Sequence, residues 1–204
     1  MSTTGTRGRP QVSSREMLQE AAFDLFLEKG YEATTIAEIS RVAGVSRNTF
    51  FNYFAGTSDV FWVDTDSSAT ALAASLAAAP ADQPLMPAIR HALLEVARAF
   101  GPGRVPWALT QYPLIGAADQ LQASGMSRLS DHTRALVAFA DARLPLAARP
   151  LGHAACYASL GAALAAAWDW ASAGTSRGGL EPWLDAALTP LCGGFQQAID
   201  AVPA

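Results

Sequence analysis

Apolar residues recur every three or four positions along most of the chain, and this spacing is the period of an amphipathic helix. The first helix is predicted from its two ends. Ser13 and Glu16 form a capping box, in which a hydroxyl and a carboxylate satisfy free backbone amides at a helix start. Gly30 supplies the residue that most easily takes the left-handed conformation ending a helix.

Two shorter helices follow, and the turn between them is typical of a helix-turn-helix. The second helix is predicted to begin at Thr35, with Glu38 in the capping-box position, and to end at Gly44. Ser46 then caps a third helix over residues 47–54. In such a unit the last helix lies in the major groove of DNA, with its early residues facing the base edges.

The remainder of the chain is rich in Ala and Leu, with Pro or Gly between the helical stretches. No strand-like alternation is sustained, so we expect an all-α protein in which a larger helical domain follows an N-terminal three-helix bundle. Beyond that bundle the pattern predicts helices at 58–79, 88–100, 126–142, 152–172 and 180–202. The predicted sections are a flexible basic arm (1–12), a helix-turn-helix domain (13–56) and the larger helical domain (57–204).

Composition narrows the class of protein. Half of the 204 residues are hydrophobic and 16% are charged, which excludes a disordered chain. The formal net charge of −4 leaves no general basic coat, so any nucleic-acid contact must come from a local patch. Two cysteines, no signal-peptide pattern and only weakly apolar Ala-rich runs favour a cytoplasmic protein without a membrane span. No motif calls for a metal or another cofactor.

The early residues of the third helix are candidates for reading DNA bases. Arg47 can pair bidentately with guanine and Asn48 with adenine, while the Thr49 methyl group can pack on thymine. Phe50 and Phe54, four residues apart, are expected to face the core. The alternative for the polar residues is a helix face that is merely solvated.

The run EAAFDLFLEKGYEATTIAEISRVAGVSRNTFFNYF, residues 20–54, resembles the DNA-binding region of the TetR family of bacterial transcription regulators. This resemblance implies a homodimeric, ligand-responsive repressor with about nine helices. The first three helices would bind DNA, the middle ones enclose a ligand and the last two form the dimer interface. The positions that match the family's DNA contacts, together with their neighbours Ser46 and Asn52, are the candidate DNA-binding residues. They are Thr35, Ser46, Arg47, Asn48, Thr49, Phe51, Asn52, Tyr53 and Thr57.

Two departures from the family pattern affect the contacts with phosphate groups. Phe51 stands where Tyr is frequent, and Thr57 stands where Lys is usual, so one phenol and one charge are missing. The salt dependence of DNA binding is therefore expected to be shallower than in relatives that carry the Lys. Arg7 and Arg9 of the arm offset this loss in part if they enter the minor groove; the alternative is an untethered tail.

Within the family, FFNYFAGTSDVFWVD, residues 50–64, resembles the regulators associated with mycofactocin gene clusters. That narrower resemblance implies an acyl-CoA-like effector.

Large side chains near the helix breaks are candidates for lining an apolar ligand pocket, although aromatic residues at helical spacing are more often plain core. The candidate ligand residues are Phe100, Trp107, Tyr112, Met126, His132 and Tyr157. A face of small residues on the 152–172 helix and an apolar face on the last helix suit a four-helix dimer interface. The candidate interface residues are Ala155, Ser159, Ala162, Ala166, Leu184, Leu188 and Phe195.

Three hypotheses about function follow. The first is a sequence-specific repressor that binds a palindromic operator as a homodimer and is released by a small apolar effector. The second is an adaptor that has lost DNA binding, which Phe51 and Thr57 suggest. The third, an enzyme, would draw on His153 and Cys156, but no third group and no catalytic motif accompany them.

Overall fold

The computed structural model describes residues 14–103, 105–111 and 118–203. Those residues are helical with no strand among them, which confirms the all-α prediction. The helices are α1 (Ser14–Lys29), α2 (Ile36–Val42), α3 (Arg47–Phe51), a 3-10 helix (Thr57–Trp62), α4 (Ser68–Ala78), α5 (Leu85–Arg98), α6 (Trp107–Thr110), α7 (Ala118–Arg143), α8 (Arg149–Ser172), a second 3-10 helix (Gly174–Ser176) and α9 (Glu181–Asp200). The predicted arm, 1–12, and Ser13 of the first capping box lie outside the described residues.

Helices α1 to α3 and the first 3-10 helix pack around an aromatic core, and we call them the N-terminal unit (residues 14–63). Rings meet edge to face or stacked; those of Phe26 and Phe61 are parallel, with centroids 5.6 Å apart. Gly30 and Gly44 have φ of 86° and 70°, the left-handed conformation that their predicted role as helix ends requires. The buried rings of this core are Phe23, Phe26, Tyr31, Phe50, Phe54 and Phe61.

The predicted helix over 58–79 is wrong in its first half. A 3-10 helix ends at Trp62, turns follow, and α4 begins only at Ser68. The hydroxyl of Thr65 donates to the carbonyl of Trp62 over 3.1 Å, and the hydroxyl of Ser68 donates to the carbonyl of Thr65 over 2.6 Å. The N–H groups of Thr65 and Ser68 donate to the same two carbonyls, over 2.8 and 2.9 Å, in the three-residue pattern of turns rather than that of an α-helix.

Helices α4 to α9 form the C-terminal unit (residues 68–203), whose core consists mainly of Leu and Ala. Helix α9 packs against α5 and α8, and α7 packs against α4 and α8. Trp170 is the large exception in this core: it is fully buried, and its indole N–H donates to the carbonyl of Gly178 over 3.0 Å. No helix of the described residues has the length and apolarity needed to cross a membrane.

Helix α7 is longer than the prediction of 126–142, because it already begins at Ala118. Gly125 does not break it. A Cβ atom at this position would lie 3.0 Å from Cη2 of Trp62, so the glycine permits close approach of α7 to the 3-10 helix. This contact joins the two units.

Candidate nucleic-acid interface and internal cavity

Helix α3 is held at its start by its own cap. The backbone N–H of Thr49 donates to Oγ of Ser46 over 3.1 Å, and the two hydroxyl oxygens lie 2.9 Å apart. Arg47 and Asn48, between them, have exposed side chains. Ser46 and Thr49, both predicted to touch DNA, thus also fix the helix end that presents the other two residues.

The two faces of α3 differ completely in exposure. Phe50 and Phe54, 0% and 2% exposed, point into the aromatic core, as their spacing predicts. Arg47, Asn48 and Phe51 are exposed and lie within about one turn of one another. The exposed predicted residues of α3 and its C-terminal turn are Arg47, Asn48, Phe51, Asn52 and Tyr53. The structure therefore brings the candidate base-reading residues together on one open surface.

Thr35 lies at the exposed start of α2 and forms the predicted capping box. The N–H of Glu38 donates to Oγ1 of Thr35 over 3.3 Å, and the N–H of Thr35 donates to Oε2 of Glu38 over 3.0 Å. Glu38 also pairs with Lys29. Hydrogen bonds from Lys29, then from Thr35, lower the pKa of Glu38 from 4.5 to about 2. This charged carboxylate ties the end of α1 to the start of α2.

Thr57 is half-buried at the start of the 3-10 helix, just past the recognition helix α3. The turn before it is capped by a carboxylate: Oδ2 of Asp59 accepts the backbone N–H of Ala55 over 2.9 Å and that of Gly56 over 3.2 Å. Asp59 was not among the predicted site residues. The position of Asp59 relative to α3 follows from these two hydrogen bonds to the turn after the helix.

The charge of the N-terminal unit is unusual for a surface that meets DNA. Residues 14–63 hold four basic side chains against seven acidic ones, a net of −3. Arg41 and Arg47 are exposed on α2 and α3, whereas Glu20, Asp24 and Glu28 follow one exposed side of α1 at four-residue spacing. Only a small part of this unit is suited to face phosphate groups.

A cavity of about 900 Å³ lies between α5, α7 and α8 of the C-terminal unit. Its walls are mainly Leu, Val, Ala and aromatic side chains, and Leu93, Leu160 and Leu184 are among them. At the end nearest the N-terminal unit the lining becomes polar. The polar lining residues there are Thr65, Asp66, Ser68, Arg128, Asp131 and His132. A large apolar space with a few polar groups is the usual form of a small-molecule site.

The structure places half of the predicted ligand residues in this cavity. Phe100, Met126 and His132 line it. Trp107 does not; its ring packs against Phe23 in the core of the N-terminal unit. Tyr157 does not line it either, because it is 59% exposed on the outer side of α8. Tyr112 lies outside the described residues.

Hydrogen bonds join the polar end of the cavity to neighbouring helices. Nε2 of His132 lies 2.8 Å from Oγ of Ser68, and its Nδ1 lies 2.8 Å from the carbonyl oxygen of Arg128. The guanidinium group of Arg128 reaches Asp59 and Asp66, each over 3.2 Å. Asp66 also pairs with Arg15 of α1. The sequence did not predict this charged cluster, because each ion pair in it joins residues that are 51 to 69 positions apart and share no local pattern.

Five of the seven predicted dimer-interface residues are buried within the chain itself. Ala155, Ser159 and Leu188 are 0% exposed, and Leu184 and Ala166 are 4% and 6% exposed, all within the chain's own core. Ala162 and Phe195 are half-buried and pack on the same core. These side chains join α8 and α9 to each other and to α5, so a second chain cannot reach the buried ones. The outer sides of α8 and α9 instead expose Tyr157, Gly161, Ala186, Gly193 and Ala198. Leu164 and Trp168 of α8 are also exposed, but they line the cavity.

The cysteine chemistry does not favour a nucleophile. Burial raises the pKa of the Cys156 thiol to about 12, so it stays protonated at neutral pH. Burial also raises the pKa of Cys192. His153 is engaged with Asp141, with Nε2 and Oδ1 2.8 Å apart. Among the described residues no group of three or more His, Cys, Asp or Glu side chains is placed to hold a metal ion.

Comparison with solved structures supports the fold. The chain resembles a transcriptional regulator from Rhodococcus sp. Rha1, with a TM-score of 0.56 at 21% identity over 94% of this chain and 100% of that one. It also resembles the fatty acid degradation regulator FadR from Bacillus halodurans, with a TM-score of 0.58 at 16% identity over 88% and 98% of the two chains.

Two curated proteins match part of the sequence. The transcriptional regulator TcmR of Streptomyces glaucescens is 34% identical over 39% of this chain, and the putative mycofactocin biosynthesis transcriptional regulator MftR of Mycobacterium tuberculosis is 29% identical over 43%. These matches span 35% and 44% of the two relatives' own lengths.

Two family models cover most of the chain. Residues 18–61 match the model of bacterial regulatory proteins of the tetR family, and residues 83–196, more than half of the chain, match the MftR C-terminal domain. The chain therefore belongs to the TetR family of bacterial transcriptional regulators.

Proposed function

We propose that this protein is a sequence-specific DNA-binding repressor that a small apolar effector releases from its operator. The observation that carries the proposal is the exposure of Arg47 and Asn48 at the capped start of α3, while Phe50 and Phe54 anchor the same helix in the core. A helix anchored on one side and polar on the other can enter a major groove without unfolding.

In this proposal α3 reads the bases and its surroundings contact the backbone. Arg47 pairs with a guanine and Asn48 with an adenine. The exposed phenol of Tyr53 and the guanidinium of Arg41 are placed for phosphate groups, whereas the hydroxyl of Thr35 already donates to Oε2 of Glu38 over 2.7 Å. Phe51, 51% exposed, has no polar group for such a contact and would meet sugar or a thymine methyl group instead.

Reading a palindromic operator requires two recognition helices about 34–36 Å apart, hence a dimer. The outer side of α8 supports a homodimer, because Tyr157 is 59% exposed there, and the cavity-lining Leu164 and Trp168, 47% and 46% exposed, extend this apolar surface. The neighbouring Gly161 and the small residues of α9 allow close helix approach. A second copy of the chain would cover this apolar surface.

The cavity supports the effector part of the proposal. Its volume of about 900 Å³ lies at the upper end of the range of about 300–1,000 Å³ found for small-molecule pockets, and its walls are mainly apolar. An effector there releases DNA only if it binds one arrangement of the chain more tightly than the other.

The test uses duplexes cut from the promoter region upstream of the protein's own gene. Fluorescence anisotropy first locates a fragment that binds the wild-type chain, and Arg47→Ala is then measured on it. Losing a bidentate base contact costs about 1–3 kcal/mol per half-site. The matched control is Arg134→Ala on α7, whose side chain is 74% exposed and remote from α3, and which should bind as the wild type does. Equal affinity of all three proteins would show that Arg47 reads no base, and the absence of any bound fragment would favour the adaptor hypothesis instead.

A further inference from the structure

Helix α7 contacts both the cavity and the N-terminal unit, and this double contact makes it the candidate route of communication under the proposed function. Met126, Leu129 and His132 line the cavity. Gly125 lies against the ring of Trp62 in the 3-10 helix. The hydroxyl of Ser124 lies 3.4 Å from Oδ1 of Asp59 in that same 3-10 helix.

Arg128 is the central residue of this contact. Its guanidinium group donates to Asp59 and Asp66, each over 3.2 Å, and lies 5.3 Å from the ring centre of Trp62. It also donates to Oγ of Ser124 over 2.8 Å. The side chain is 26% exposed and lines the cavity. The side chain of Arg128 therefore bonds to the 3-10 helix and to the turn before α4, and it also forms part of the cavity wall.

The two carboxylates that bind Arg128 also contact the segment after the recognition helix α3, directly or through one further residue. Oδ1 of Asp59 bonds Arg128, while Oδ2 caps the N–H groups of Ala55 and Gly56 directly after Phe54. Asp66 also pairs with Arg15, whose guanidinium lies 5.8 Å from the ring centre of Phe54. A shift of Arg128 would therefore act on both sides of the C-terminal end of α3.

The same end of the cavity offers one cationic hydrogen-bond donor. Arg128 is the cation among the lining residues there, and Asp66 and Asp131 are the anions. The hydroxyl of Ser68 also lines this end but already donates to the carbonyl of Thr65 over 2.6 Å. Nε1 of Trp62 has no hydrogen-bond partner in the part of the chain that the structure describes, but this atom is buried and has almost no surface open to the cavity. A ligand at this end would therefore bind mainly to Arg128.

We propose that Arg128 is the positioning residue through which occupancy of the cavity reaches the recognition helix. The effector class that fits is an apolar body with a hydrogen-bond-accepting, anionic head group. The head group accepts from the guanidinium of Arg128 in place of Asp59 and Asp66, and this exchange loosens the capped turn at Ala55 and Gly56. This inference rests on the proposed function, since it explains how that function is regulated.

Hydrogen exchange tests the proposal without DNA. The probe is cis-parinaric acid, a fluorescent molecule with an apolar chain and a carboxylate, and its methyl ester is the control that lacks the anionic head. Saturating the wild-type chain with the acid should speed exchange at the Ala55 and Gly56 amides several-fold, and the ester should have a smaller effect. Unchanged exchange under saturation, or no saturable binding of the acid, would overturn the proposal.

Variants separate positioning from simple stabilisation. Arg128→Gln should exchange rapidly at these two amides without the probe and show no further response, while Arg128→Lys should keep part of the response. Asp66→Asn, which leaves the Asp59 cap intact, is the second variant, and Arg134→Gln on the same helix is the control. If Arg128→Gln and Asp66→Asn are folded by thermal melting and respond to the acid as the wild type does, the proposal is wrong.

The DNA-linked measurement distinguishes this proposal from the function beneath it. On a bound duplex, the acid should weaken wild-type binding within the roughly 5–150-fold range typical of coupled sites, and Arg128→Gln should bring that ratio close to one. A wild-type chain that binds no duplex specifically overturns the proposed function, whatever the exchange data show. A chain that binds DNA and keeps its full probe response in Arg128→Gln overturns only the role of Arg128.

Discussion

The cores of the two units of this protein consist of different kinds of side chain. The N-terminal unit buries six aromatic rings in one core, two of them from α3 and the turn after it, whereas the C-terminal unit packs Leu and Ala around a cavity of about 900 Å³. Large rings in a filled core have many contacts to lose when they move, and side chains that face a cavity have fewer. Under the proposed function, the comparison indicates that DNA reading uses a rigid support and ligand sensing uses walls that rearrange at low cost.

The largest expected effect is in the aromatic core. Phe61→Ala removes a fully buried ring that stacks on Phe26 and meets Phe23 edge to face. We expect a loss of about 3–5 kcal/mol in the free energy of unfolding, measured by urea denaturation. Leu27→Ala, at a side chain that is 60% exposed, is the control and should change it by less than about 0.5 kcal/mol. A small loss for Phe61→Ala would contradict the rigid-support account.

A matched pair of leucines compares the units directly. Leu18 is 0% exposed in the aromatic core, and Leu160 is 8% exposed but lines the cavity. Buried Leu→Ala changes cost about 2–5 kcal/mol, and we expect Leu18→Ala near the upper end and Leu160→Ala near the lower end, because Leu160 has empty space on one side. Equal losses in the same denaturation experiment would remove the contrast between the two cores.

Salt dependence sharpens the comparison of charge. The described part of the N-terminal unit carries a net charge of −3, so the cations Arg7 and Arg9 near the start of the chain should matter for DNA binding. Deleting residues 1–12 should lower the slope of log K against log salt by about 1.8 per protomer, since each neutralised phosphate contributes about 0.9. An unchanged slope in anisotropy titrations would mean that the two arginines form an untethered tail.

The smallest expected effect concerns pH. The pKa of Glu38 is depressed in the folded chain to about 2 from 4.5, so its stabilising contribution is present above pH 4.5 and is lost as pH falls toward 2. Glu38→Gln should therefore reduce the acid sensitivity of the thermal midpoint between pH 4.5 and 2. Glu28→Gln, at an exposed position of α1, is the control. Parallel pH profiles for wild type and Glu38→Gln would show that the link between α1 and α2 adds nothing.

The units also differ in how far their sequences predict them. The caps at Thr35 and Ser46 and the left-handed Gly44 were predicted residue by residue, because these signals act within four residues of the chain. The burial of Phe50 and Phe54 followed from their spacing of four residues in the same way. The caps and turns of this region depend on residues that are close together in the chain, so short stretches of sequence predict them.

The C-terminal unit depends on contacts between distant residues. Helix α8 is rich in Ala on every side, so its sequence does not predict which side is buried. The side with Ala155 and Ser159 packs in the core of the same chain. Gly125 precedes the predicted helix over 126–142, yet it lies inside α7 and permits a close contact with Trp62. Arg128 and its two carboxylates meet only because the units dock, so no spacing predicts them.

The central claim is that the surface of α3 reads a DNA sequence, and one measurement tests it most directly. The affinity of the full chain is measured at 150 mM salt for its best promoter fragment and for a shuffled duplex of the same length and composition. The account predicts binding at least about 10³-fold tighter to the promoter fragment. Equal affinity for the two duplexes would contradict it, because contacts to phosphate groups alone do not distinguish sequences.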